Sequence, residues 1–230
     1  MIYITGDTHG ELDRFKSREL RRLGKDDILL ILGDFGFLWD GSKEEKSRLK
    51  WLCKRPYTIL FLDGTHENFD LLDPCPVEEK FGGRVQPIGG NVYHVCRGSI
   101  LELEGQSYLC FGGGESLDQE DREPGVNWWP WEMPSDEEYA YCEANVAAHN
   151  YKVEYVLTHD APTKFLDFTA LAPGESNRLH DFFDKLVGEL TYDQWLFGRY
   201  HKDTALSPKV RCVFRDVIPV GQKRSWWKRR

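Results

Sequence analysis

The chain has 230 residues, enough for one sizeable core, and carries 30 Lys and Arg against 38 Asp and Glu, a formal net charge of −8 with a pI near 5.4. That acidity argues against non-specific binding to duplex nucleic acid, which depends on Lys and Arg neutralising phosphates. No apolar run approaches the roughly 20 residues that cross a bilayer. The amino terminus enters an apolar strand at once, and the six cysteines form no Cys-x-x-Cys pair, so the expectation is a cytoplasmic protein with reduced, mostly buried thiols.

Ile2 to Thr5 is a β-branched and aromatic run that ends in Gly6-Asp7-Thr8-His9. Glu11 to Leu23 places Leu12, Phe15, Leu20 and Leu23 at near-helical spacing and predicts an amphipathic helix closed by Gly24. Ile28 to Leu32 is the second strand and ends in Gly33-Asp34; Ser42 to Glu45 then predicts a capping box opening a helix that buries Leu49, Leu52 and Cys53 before Pro56. The third strand, Thr58 to Leu62, delivers Gly64-Thr65-His66-Glu67-Asn68, in which Glu67 and Asn68 are expected to hold the turn and cap the next helix.

From Phe81 the pattern changes to short segments separated by glycines, Val92 to Cys96, Ser99 to Leu103 and Ser107 to Phe111. These predict hairpins in a second sheet packed face to face on the first. Residues 115–134 are charged and carry Trp128, Trp129 and Trp131 among prolines, which predicts an irregular, lid-like loop. From it Asp118 and Arg122 could reach a ligand. Ser135 to Glu138 is a second capping box, opening a helix with Tyr139, Cys142 and Val146 inward, and Asn177 is expected to cap another that buries Leu179, Phe182, Phe183 and Leu186. The strand at Tyr155 to Leu157 leads to His159, and Gln194 to Phe197 leads to Gly198-Arg199-Tyr200-His201. Arg211 to Ile218 is read as a last strand, and 223–230 as a basic tail. The organisation expected is a single domain over 1–222 followed by that tail.

Five apolar strands thus end in tight turns bearing carboxylates or imidazoles, residue types that hold borderline divalent metals. One such turn is weak evidence; five in series are not explained by chance packing.

In this order the motifs Gly6-Asp7-Thr8-His9, Gly33-Asp34, Gly64-Thr65-His66-Glu67, His159 and Gly198-Arg199-Tyr200-His201 resemble the signature of the calcineurin-like metallophosphoesterases. The resemblance implies an α/β fold, a four-layer αββα sandwich of two mixed β-sheets flanked by helices. It implies one metal on Asp7, His9, Asp34 and His201, with Asp34 bridging to a second ion that an Asn, the lone His159 and the first His of the last motif would complete. Here the Asn position is Thr65 and the first His is Arg199. A hydroxyl is a weaker neutral ligand than an amide carbonyl, and a guanidinium cannot bind a cation at all. The first site is therefore expected to stand and the second to be weak, reoriented or absent, with Arg199 able to clamp phosphate oxygens instead.

The resemblance further implies a general acid at His66 and a phosphatase or phosphodiesterase acting through a metal-bound hydroxide, with Mn, Fe or Zn as suitable ions. The expected site is catalytic His66 and Arg199, metal ligands Asp7, His9, Asp34, His159 and His201, and substrate-binding Thr65 and Arg122. The expected partner is a small phosphoester or nucleotide, with membrane excluded, nucleic acid disfavoured and oligomeric state open. The competing reading is a binding or scaffold module on the same fold with one structural metal. His66 favours the enzyme, since a scaffold has no use for a proton donor.

Overall fold

The computed structural model describes residues 1–167 and 176–220; the basic tail expected at 223–230 lies outside them. In chain order the strands are β1 (Ile2–Thr5), β2 (Ile28–Ile31), β3 (Thr58–Phe61), β4 (Glu78–Lys80), β5 (Gly83–Gly89), β6 (Val92–Val95), β7 (Ser99–Leu103) and β8 (Gln106–Phe111), followed by β9 (Tyr155–Thr158), β10 (Gln194–Phe197), β11 (Thr204–Ala205), β12 (Val210–Cys212) and β13 (Ile218–Val220). The α-helices are α1 (Lys43–Leu52), α2 (Phe69–Leu72), α3 (Asp136–Ala148), α4 (Thr163–Asp167) and α5 (Arg178–Glu189).

Two mixed sheets form, one ordered β13-β1-β2-β3-β6-β5-β4 and the other β11-β12-β10-β9-β8-β7. The strand alternation explains the layering. Ile2, Ile4, Leu30, Leu32 and Leu60 face Leu101, Tyr108, Cys110, Leu157 and Leu196 between the sheets. Leu29, Ile31, Ile59 and Phe61 point the other way, towards Leu52 of α1, while Val156, Trp195 and Phe197 pack on α3 and α5. The architecture is the expected αββα sandwich. At the centre of each sheet the strands run parallel, β1 to β2 to β3 and β8 to β9 to β10, which brings their carboxyl ends to one edge.

Several local expectations are corrected. Glu11 to Leu23 is two short 3-10 turns, Leu12–Lys16 and Leu20–Arg22, because the Ser17 hydroxyl takes the Leu20 N–H and the Arg14 guanidinium is drawn out to the Asp7 and Phe214 carbonyls. The Val92 hairpin belongs to the first sheet, where β6 runs parallel to β3; the second sheet starts only at β7. The expected strand from Arg211 to Ile218 is two strands, one in each sheet. Between them the N–H groups of Phe214, Arg215 and Asp216 donate to the Asp203 carboxylate and so leave the ladder.

At α1 Ser42 caps as expected, but Glu45 turns back to accept from the N–H groups of Trp39, Asp40 and Gly41. Asn68 does not cap α2, since its amide donates to the Trp39 carbonyl. The Ser135 box and the Asn177 cap form as read.

Candidate metal centre

Five loops meet at the shared strand edge. The turn after β1 brings Asp7 and His9, that after β2 brings Asp34, that after β3 brings Thr65 and His66, and those after β9 and β10 bring His159 and Arg199 to His201. One ligand atom from each of Asp7, His9, Asp34 and His201 lies within 4.8 Å of every other. Two carboxylates and two imidazoles at that spacing match the donor set of a borderline divalent ion. His9 Nε2 sits 2.8 Å from His201 Nε2, and His201 Nε2 sits 3.1 Å from Asp7 Oδ2.

Two buried atoms test whether an ion fits. Among the described residues Asp7 Oδ2 has no aligned hydrogen-bond donor, close as His201 is, and His159 Nε2 has no partner either. The Leu32 carbonyl, 2.8 Å from His159 Nδ1, fixes the proton there and leaves the Nε2 lone pair 3.5 Å from Asp34 Oδ1 in a fully buried position. A buried carboxylate oxygen left in this way is costly unless something binds it, and a cation held with His9, Asp34 and His201 satisfies Asp7 Oδ2, whereas His159 stands outside that group.

The backbone is strained at the same place. His9, Asp34, Arg199 and His201 have φ of 45°, 44°, 64° and 50°, a region L-residues avoid and hold only where the surroundings dictate it. Close packing explains the motif glycines: a Cβ on Gly64 would fall 2.1 Å from Asp34 Oδ1 and 2.7 Å from His159 Nε2.

Burial pushes the Asp34 carboxyl up, but His159, the hydrogen bond from His66 and the charges of His66 and His9 outweigh it and hold the group well below the usual carboxylate range. His66 is raised, chiefly by its side-chain bond to that carboxylate, Nδ1 to Oδ2 at 3.1 Å, and its backbone N–H also donates to Asp34 Oδ1 at 2.8 Å. His9 is lowered by burial. Glu67 is raised well above its ordinary value by burial and the Asp34 charge, and its Oε1 accepts the Phe35 N–H at 2.5 Å, so it holds the turn as expected.

Arg199 stands on the other side. Its N–H donates to Asp7 Oδ1 at 3.0 Å, Nη2 donates to the Glu115 carbonyl at 2.5 Å and Nε lies 3.4 Å from Asp160 Oδ2. Nη1 is buried without a partner among the described residues, and it meets Thr65 at Gly114: a Cβ there would fall 2.2 Å from Nη1 and 3.1 Å from Thr65 Cγ2. The two positions that depart from the signature are therefore neighbours in space. Arg122 is spent on Asp118, 2.8 Å away, and on the Asn127 carbonyl, though its charge is felt at His66.

Sequence reasoning missed what stands behind Arg199. Asp160, fully buried, also accepts from Tyr200 Oη at 2.5 Å and the Ala161 N–H at 2.8 Å and pairs with His180 Nε2 at 3.0 Å; Arg199, His180 and Tyr200 hold it well below the carboxylate range against its burial. The adjacency of Asp160 to His159 was the only available signal, and nothing marks His180 among the apolar residues of α5.

The sequence profile of the calcineurin-like phosphoesterase family matches residues 1–203. No curated protein matches the chain. Two of the solved structures that resemble it follow. TT1561 of Thermus thermophilus is 14% identical with a TM-score of 0.49, and phosphopantetheinyl hydrolase PptH of Mycobacterium tuberculosis is 14% identical with a TM-score of 0.39; each comparison covers 93% of this chain and 87% of the other.

Proposed function

The chain belongs to the calcineurin-like phosphoesterase family, and on that footing we propose that it hydrolyses a small phosphoester or nucleotide, using one tightly held divalent ion and a guanidinium where a second ion would sit. The observation that carries this reading is the convergence of Asp7, His9, Asp34 and His201 within 4.8 Å, with Arg199 bonded through its N–H to Asp7 and its Nη1 buried without a partner among the described residues.

Asp7, His9, Asp34 and His201 hold the ion, and His159 Nε2 faces the same carboxylate from the second-site side. When bound, the ion supplies Lewis acidity for the phosphoryl oxygen and lowers the pKa of the attacking water. Manganese, iron or zinc suits the mixed donors. Arg199 binds a phosphoryl oxygen through Nη1, held in aim by Glu115 and Asp160, and stabilises the charge of the transferring group. His66 keeps Nδ1 on Asp34, so Nε2 lies on the outward edge of a 41% exposed ring, placed to protonate the leaving oxygen. Thr65 lies beside Arg199 and bounds the substrate, and Arg122 adds positive charge on the His66 side. Residues 115–134 serve as the cover of the site, since Glu115 holds Arg199, Glu132 braces the loop internally by accepting from Ser116 and Trp128, and Arg97 anchors it at the Trp131 and Glu132 carbonyls. The six free cysteines support a reducing, cytoplasmic setting.

Release of nitrophenol from mono- and bis-nitrophenyl phosphate, with Mn, Zn, Fe and Mg in turn, tests the reading. Metal-dependent turnover of at least one ester is expected. Turnover of neither with any ion would leave a metal-bearing binding module in its place.

A further inference from the structure

Beside the proton donor lies an aromatic surface that the mechanism above does not use. The Trp39 ring is half-buried, its centroid 6.0 Å from that of His66 at an interplanar angle of 34°. Behind it Trp129, 2% exposed, meets it edge-on at 5.7 Å and 79°, and is itself pinned by an Nε1–H bond to Asp70 at 3.0 Å. The backbone of Trp39 is clamped from both sides: its N–H donates to the buried Glu45 carboxylate at 2.5 Å, and its carbonyl accepts from the Asn68 amide at 2.6 Å. Asn68 follows His66 by two residues, so the loop carrying the acid also sets the height of the indole.

A side chain fixed in this way is pre-organised, which a core tryptophan at the edge of a cluster does not require. Glu45 turns from its capping box to the N–H groups of Trp39, Asp40 and Gly41, and the Asn68 amide turns from capping α2 to the Trp39 carbonyl.

Geometry decides what such a surface meets. A general acid must reach the oxygen that departs, so the group attached to that oxygen lies next to His66. The indole that neighbours His66 is that of Trp39, with 6.0 Å between ring centroids. We propose that Trp39 is a specificity-determining residue, and that the site takes phosphoesters whose leaving group carries a planar ring, an aryl group or a nucleobase, stacked on Trp39. The inference rests on the hydrolase reading, because His66 marks the leaving-group side only if the ester is cleaved.

Stacking differs from simple burial in requiring a flat partner. Benzyl phosphate and cyclohexylmethyl phosphate have similar size and similar leaving-group basicity, but only the first has a planar ring. With the manganese-loaded full chain, kcat/KM is expected to favour the benzyl ester by about tenfold, the ratio that a stacking contact of about 1.4 kcal/mol produces, and to do so through KM. Trp39→Leu should bring the benzyl-to-cyclohexylmethyl ratio to within about twofold, while Trp39→Phe should retain most of it. Adenosine 5′-phosphate against ribose 5-phosphate separates a nucleobase from an aryl group: a preference for the nucleotide that Trp39→Leu erases assigns the base, and its absence assigns the aryl ester.

Calorimetric binding of benzylphosphonate and cyclohexylmethylphosphonate to the same manganese-loaded wild-type protein keeps the two readings apart. Tighter binding of the benzyl compound without any ester turnover would support the stacking face and remove the hydrolysis. Equal binding and equal kcat/KM for the two rings in a protein that does turn esters over would overturn the role of Trp39 and leave the hydrolase reading intact.

Discussion

Replacing Arg199 by alanine separates a structural cation from a functional one. The backbone contact to Asp7 Oδ1 survives the change, and so does the strained φ of 64°, which alanine tolerates no worse than arginine. Three guanidinium positions are removed. Nη2 leaves the Glu115 carbonyl, Nε leaves Asp160, and Nη1, which has no partner among the described residues, leaves nothing behind. Asp160 keeps Tyr200, His180 and the Ala161 N–H, so it is not stranded as a bare buried charge. The stability loss is therefore that of a buried hydrogen bond or two, about 1–3 kcal/mol. If Nη1 is aimed at the transferring phosphoryl group, the same change removes one pre-organised donor and lowers kcat by about 10²–10³. Urea unfolding together with kcat and KM on bis-nitrophenyl phosphate at saturating manganese gives both numbers from one preparation. Arg199→Lys, which keeps the charge but not the fork, should recover only part of the rate. A folded Arg199→Ala protein with kcat within about threefold of wild type would refute the clamp, because the guanidinium would then serve only to neutralise Asp160.

Thr65→Asn combined with Arg199→His should raise metal content per chain, measured by elemental analysis after desalting; content equal to wild type would contradict the split site. His66→Asn should lower turnover of an ester with a strongly basic leaving group by about 10²–10⁴ and of a nitrophenyl ester far less, since nitrophenolate departs without a proton. Because the acid works protonated and its pKa is raised by its bond to Asp34, wild-type activity should fall as pH rises past a His66 value above that of a free imidazole, a limb that His66→Asn abolishes. Away from the centre, Arg97 bonds Asp63 through Nε at 2.9 Å and Nη2 at 2.5 Å and reaches Glu138 at 3.1 Å, all within the protein. Arg97→Met should cost about 3–5 kcal/mol in urea unfolding at pH 7, because it leaves Asp63 buried with only His94 beside it. Burial favours the neutral Asp63 carboxyl, but Arg97 and His94 hold it well below the carboxylate range, so its contribution is present above its unfolded value near pH 4 and is lost as pH falls through the folded one. The variant should therefore unfold at a higher pH on acid titration.

The centre was legible because its grammar is local. A buried strand followed by glycine and a ligand-type residue is imposed by close approach, as at Gly64, where any side chain would strike Asp34 and His159. Those constraints sit within a few residues of each other and leave their mark on the chain. What could not be read depends on partners far away. Nothing in Val213 to Val217 says that Asp203 will gather three N–H groups there and send the chain from one sheet to the other. Nothing near Leu12 says that Arg14 will be drawn to Phe214, 200 residues on. The Val92 hairpin reads as part of the wrong sheet for the same reason: alternation specifies a strand, whereas the choice of neighbour is made by β3, which it joins in parallel. His180 reads as one more position on the buried face of α5, yet with Tyr200 and Arg199 it supports Asp160.

The second-ion end of the site is best understood as one exchange involving three residues rather than as two separate losses. A guanidinium is longer than the imidazole the family signature has at position 199, and its tip needs room. That room lies where Gly114 has no side chain, since a Cβ there would fall 2.2 Å from Nη1. The same hypothetical atom would fall 3.1 Å from the Thr65 methyl, so the shorter residue at 65 and the bare residue at 114 together bound the space that the longer residue at 199 fills. A chain drifting away from function has no reason to keep this pocket open, to buttress the cation with a carboxylate buried under three further partners, or to leave one of its nitrogens without a hydrogen bond among the described residues. In the proposed reaction these features favour a phosphate clamp over an ion pair that has merely replaced a metal, and they assign the phosphoryl contact to Nη1 of Arg199.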